Sequence, residues 1–118
     1  MKIYRCENCD KILLNLGRQN GSLNKIELIP GSVDASTEKH VPAVEVKGET
    51  VAVKIGEVTH PMLPEHHIEW ILLETKKGFQ IKYLEPGDAP EAKFILSDDK
   101  AVAAYEYCNV LGLWKKEI

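Results

Sequence analysis

At 118 residues, with 44% hydrophobic and 28% charged side chains, the chain is long enough for one domain with a real core, or one domain plus a short appendage. A formal net charge of −3 leaves no basic stripe to neutralise phosphates, so nucleic acid is not an expected partner. No apolar run approaches a membrane span and the first ten residues lack a signal-peptide core, which points to a cytoplasmic address with no membrane partner.

Cys6 and Cys9 flank Glu7-Asn8 near the start, and the only other cysteine is Cys108. An odd count of three does not make a disulfide framework; a CxxC pair suits metal or redox work in a reducing compartment. Ile12 to Leu16 reads as a short apolar run, Gly17 to Gly21 as a turn, and Lys25 to Ile29 as a strand ended by Pro30-Gly31. The text then turns small and polar, which places a boundary between residues 1–31 and 32–118.

From His40 onward the apolar period is two. Val44 and Val46, then Val51, Val53 and Ile55, flank a hairpin signal at Lys47-Gly48-Glu49. Ile68, Trp70 and Leu72 are expected to share one face, with Phe79 to Tyr83 returning after Lys76-Lys77-Gly78. Pro86-Gly87-Asp88 is a turn, and Glu91–Leu96 and Val102–Tyr107 supply further strands. Short strands between regular turn signals indicate an all-β antiparallel sandwich.

The histidines are His40, His60, His66 and His67, and the first three stand at expected strand ends. Taken singly, each reads as an ordinary surface histidine. Gathered in two turns, with Cys108 in a third, they form a borderline donor set that suits iron, zinc or copper. Trp70 and Trp114 are expected to pack the core or cover such a pocket, and Met62 to pack below the His60-Pro61 turn.

Four segments carry a resemblance: Glu38-Lys39-His40-Val41-Pro42, His60-Pro61-Met62, His66-His67-Ile68-Glu69-Trp70, and Tyr107-Cys108-Asn109 with Gly112-Leu113-Trp114. In this order and spacing they resemble the superoxide reductase (desulfoferrodoxin/neelaredoxin) family over residues 34–118. The resemblance implies an immunoglobulin-like sandwich of about seven strands behind a small N-terminal β appendage. It implies a mononuclear iron, Fe2+/Fe3+, with His40, His60 and His66 as equatorial ligands, Cys108 as axial thiolate and one position open. Glu38 matches the family's mobile glutamate and Lys39 its lysine near the substrate. The implied reaction is one-electron reduction of superoxide to hydrogen peroxide without oxygen release. A small protein such as rubredoxin would donate the electron, and the chain would assemble as a dimer or tetramer.

Two departures stand out. The family pattern after the cysteine is Cys-Asn-x-His-Gly, and Leu111 occupies the histidine's place, leaving three histidines and one cysteine. His67 is the nearest substitute, but neighbours in extended backbone point to opposite faces, so a water or an empty position is favoured over it. Such a site also suits zinc, which would make a redox-inert, non-catalytic protein of the same fold. Secondly, Cys6 and Cys9 match the first pair of a four-cysteine rubredoxin-like iron site, while Gly21 to Ile26 runs through the place of the second pair without a cysteine. Residues 1–31 therefore read as a degenerate desulforedoxin-like segment. Its CxxC is a partial second site: inert thiols, a redox-active pair, or half of a site shared between chains. The redox-active reading carries a third function, an electron-transfer or redox protein using Cys6 and Cys9.

Overall fold

The computed structural model describes residues 1–17, 24–33, 40–56 and 60–118. Its regular elements are ten strands: β1 (Ile3–Cys6), β2 (Ile12–Leu14), β3 (Lys25–Glu27), β4 (Pro42–Lys47), β5 (Thr50–Ile55), β6 (Ile68–Thr75), β7 (Phe79–Tyr83), β8 (Glu91–Ile95), β9 (Ala101–Cys108) and β10 (Gly112–Glu117). The hairpin signal closes as read, with Lys47 opposite Thr50 and Gly48 at φ +58°, a left-handed conformation that glycine adopts without a Cβ clash. The expected turn at 18–21 and the polar stretch at 34–37 lie outside the described residues.

Strand pairing is antiparallel throughout these elements and builds three sheets, ordered β2-β1-β3, β10-β9-β6-β7 and β4-β5-β8. The four- and three-stranded sheets form the expected seven-stranded sandwich, with Val51, Val53, Ile55, Ile68, Ile71, Leu73, Phe94 and Leu96 buried between them. The sheet of β1 to β3 covers the other face of the four-stranded sheet. There Ile3 meets Trp70, Leu72, Ala103, Tyr105 and Leu113, with Ile12, Leu14 and Leu28 alongside.

The four-stranded sheet is therefore a middle layer. This explains why β6 reads Ile-Glu-Trp-Ile-Leu-Leu-Glu-Thr rather than alternating cleanly: both of its faces are covered by protein. Ile71 and Leu73 are fully buried, and truncating either to alanine should cost about 2–5 kcal/mol.

One expectation fails here. Ile68 does not share a face with Trp70 and Leu72; it lies in the sandwich core, whereas they face the N-terminal sheet. The cause is a register shift against β9, where Ile68 pairs with Cys108 and Trp70 with Tyr107, so Glu69 is the extra residue. That bulge turns Ile68 inward beside Cys108. Two strands also lie where the sequence shows no alternation, β1 and β10, each held by its neighbours rather than by a pattern of its own.

Candidate metal centre

The strand ends converge at one end of the sandwich. His40 stands just before β4, with Pro42 buried behind it, and is itself 1% exposed. His60, 2% exposed, precedes Pro61, and its Nδ1 lies 2.8 Å from the Pro61 carbonyl oxygen. A carbonyl only accepts, so Nδ1 must donate, and the tautomer that results leaves the lone pair on Nε2. Cys108 ends β9, fully buried.

Ligand atoms of His40, His60 and Cys108 all lie within 4.8 Å of one another. The His40 and His60 rings meet edge to face at 4.7 Å, and His66 extends the cluster by meeting His60 at 5.1 Å. His66 adjoins the group through this ring contact and is not part of the tighter trio. The donor set fits a metal ion: imidazole nitrogens with one thiolate, gathered in a buried pocket, suit iron or zinc.

Other side chains fix the ligands. Trp114 stacks on His40 with ring centroids 4.9 Å apart, and its Nε1 donates to the Leu111 carbonyl at 3.1 Å. Gly31 lies against the same indole: a Cβ at that position would come within 2.6 Å of Trp114. Backbone bonds hold the approach, from Gly31 N to Leu113 O and from Lys115 N to Gly31 O, each 2.9 Å. Glycine at 31 thus lets the chain entering the sandwich press Trp114 over His40.

Asn109 ties the histidine loop to the end of β9. Its Oδ1 accepts from His67 N at 2.8 Å, its Nδ2 donates to Glu65 O at 3.0 Å, and its own N–H donates to His67 O at 3.2 Å. Met62 packs on the sandwich core as expected, its sulfur accepting from Ile68 N at 3.4 Å.

Glu106 was not singled out in the sequence. It is fully buried, and its Oε1 lies 3.7 Å from His40 Nδ1. The alternation along β9 held the signal, because Ala104, Glu106 and Cys108 fall on one face, and a carboxylate there has to enter the sandwich. Tyr107 faces the other way and stacks on Trp70 at 5.6 Å. Its phenol pKa is raised, first by burial and then by the Glu69 carboxylate.

Glu38 and Lys39 lie outside the described residues. Leu111 sits in the turn between β9 and β10, 44% exposed, and brings no donor atom from its side chain. His67 stands next to His66 but makes its described bonds, through its backbone, with Asn109. Cys6, at the end of β1, and Cys9, in the turn that follows, are joined to each other by a disulfide and are not members of this cluster. No helix among the described residues is long and apolar enough to cross a membrane.

The fold and site define a three-layered all-β protein whose sandwich buries a histidine–cysteine cluster able to hold a metal, and its relatives name the family. The sequence profile described as Desulfoferrodoxin matches residues 32–117. Desulfoferrodoxin of Nitratidesulfovibrio vulgaris is 42% identical over 121 residues, spanning 98% of this chain and 95% of that protein. Superoxide reductase of Pyrococcus horikoshii is 37% identical over 105 residues, 74% of this chain and 91% of the relative. The crystal structure of the superoxide reductase from Treponema pallidum superposes with a TM-score of 0.81 at 38% identity, covering 98% of this chain and 97% of that one. The chain belongs to the desulfoferrodoxin/superoxide reductase family.

Proposed function

We propose that the chain reduces superoxide to hydrogen peroxide at a single iron held by His40, His60, His66 and Cys108. The observation that carries this reading is the buried His40–His60–Cys108 trio, with His66 against His60. Bound iron would supply a one-electron couple and an open position for a small anion. His60 is set for ligation by the Pro61 carbonyl, which holds the proton on Nδ1. Trp114 restricts the His40 ring and shuts water from that side. Glu106 places a buried carboxylate beside His40 Nδ1, favouring a proton there and a lone pair on Nε2. Cys108, ligating as a thiolate, would give electron density to a metal held there.

Lys39, by the family pattern, brings a positive charge to the mouth and draws in the anion. Glu38, by the same pattern, would supply a carboxylate able to ligate the metal. Superoxide is the substrate, and a small redox protein of the rubredoxin kind is the electron donor. The division at residue 31 assigns this chemistry to 32–118, in a cytoplasmic protein that works as a homodimer or homotetramer.

Leu111 favours a second reading. With that ligand replaced by an apolar side chain, three nitrogens and a sulfur match the four-coordinate preference of zinc. Zinc there would make a non-catalytic binding protein. The two readings separate on metal content after anaerobic purification and on the visible spectrum after mild oxidation. About one iron per chain, a thiolate-to-ferric band in the red and rapid loss of pulsed superoxide with peroxide formed are expected. Zinc retained against ferrous iron, with superoxide decaying no faster than in buffer, would overturn the reductase reading.

A further inference from the structure

The CxxC turn is the chemistry-bearing motif that the metal centre leaves unused. Cys6 and Cys9 are bonded to each other with Cα atoms 5.2 Å apart, a separation ordinary for a disulfide. The only remaining cysteine, Cys108, is buried in the sandwich core, so this chain cannot assemble a four-thiolate metal site around the pair.

The bond is also not what holds the turn. Cys6 N donates to Lys11 O at 2.9 Å and Glu7 N to Asn24 O at 3.0 Å, closing the turn and fastening it to the segment leading into β3. β1 is paired on both sides, and Ile3, 3% exposed, anchors it under Trp70. The two sulfurs are thus presented side by side on a scaffold that stands without them. Their surroundings differ: Cys9 is exposed together with Glu7, Asn8 and Asp10, whereas Cys6 is half-buried in the strand. An accessible sulfur beside a sheltered one in a pre-formed turn is the arrangement that thiol–disulfide exchange needs.

We propose that Cys6 and Cys9 form a thiol–disulfide exchange site, separate from the metal centre, whose substrates are dithiols and disulfides. In the reductive direction, a thiolate of an incoming dithiol attacks the exposed Cys9 sulfur. The Cys6–Cys9 bond breaks, Cys6 leaves as a thiolate and takes up a proton, and a mixed disulfide forms at Cys9. The second thiol of the incoming molecule, on losing its proton, attacks its own sulfur in the mixed disulfide and expels Cys9. The balance is two electrons and two protons moved from the dithiol to the protein, with the dithiol leaving as its disulfide. A disulfide such as oxidised glutathione drives the reverse.

The test uses the full-length protein in glutathione buffers of stepped redox ratio, with and without a chelator, trapped by alkylation and read by peptide mass spectrometry. Cys6 and Cys9 should titrate together in one two-electron transition, and dithiothreitol should restore alkylation of both. Cys6→Ser should stop at a mixed disulfide between Cys9 and glutathione, and Cys9→Ser should form its own mixed disulfide several-fold more slowly. Metal content at the histidine cluster should be unchanged in both variants, which keeps this result independent of the reductase reading. Independent alkylation of the two thiols at every ratio would overturn the proposal. So would protection that vanishes with chelator and is accompanied by half a metal ion per chain in a dimer. Equal rates for the two single variants would overturn the assignment of Cys9 as the attacked sulfur.

Discussion

The N-terminal sheet and the sandwich each hold cysteine sulfur, and they hold it in different settings. At the N-terminus Cys6 and Cys9 stand three residues apart at one turn and bond to each other. In the sandwich His40, His60 and Cys108 converge in a buried pocket, although the side chain at position 111 offers no donor atom. The lesson is geometric. Two sulfurs from one turn meet only each other, whereas a cluster drawn from several strand ends keeps its shape because the sandwich core holds each end.

The sharpest way to break this contrast is Cys108→Ser. It should reduce bound iron to a small fraction of wild type and abolish any thiolate band, while leaving the Cys6–Cys9 pair oxidisable; metal analysis and thiol alkylation check both halves. Leu111→His is the converse change. The Leu111 carbonyl is bonded to the indole that stacks on His40, so the backbone already lies beside the pocket. The substitution should raise iron affinity by about tenfold or more, the scale on which even outer partners of metal ligands act. A chelator competition reads the change, and unchanged affinity and spectrum would remove position 111 from the metal's surroundings.

Gly31→Ala joins the two regions. The added Cβ meets the Trp114 ring, so the indole or the incoming chain must move, at a cost of about 1–3 kcal/mol in denaturant unfolding. Tryptophan fluorescence should shift as well, because Trp114 leaves its stack on His40. The smallest effect is expected from Glu106→Gln. This keeps the shape of the buried side chain but removes its charge beside His40 Nδ1, so the fold should hold while the ferric absorption band moves. A spectrum identical to wild type would mean that the carboxylate does not tune His40.

Much of this was legible in the sequence. Turn signals and two-residue periodicity locate most strands of the sandwich, and the histidine and cysteine segments contain His40, His60 and Cys108, which the fold brings together, with His66 against His60. What escaped has physical causes. Ile68 was placed with Trp70 because strict alternation cannot register a bulge, and the bulge at Glu69 moves every later residue of β6 to the opposite face. β10 carries Leu-Trp followed by Lys-Lys, which hides its pairing with β9. Glu106 looked like an ordinary strand acid, and only the inward direction of Cys108 two residues on reveals that it must be buried. The N-terminal layer was invisible as a layer, since nothing local in β1 to β3 says which face of which sheet they cover.

The three bonds of Asn109 have a consequence for how the site opens. They clasp the loop from Glu65 to His67 to the residue after Cys108, so His66 cannot swing away without disturbing the end of β9. Opening of the loop and loosening of the strand that carries Cys108 therefore become a single local unfolding event. In amide exchange, the protons of His67 and Asn109 should be lost with one shared rate, and a metal bound to the cluster should slow both by the same factor.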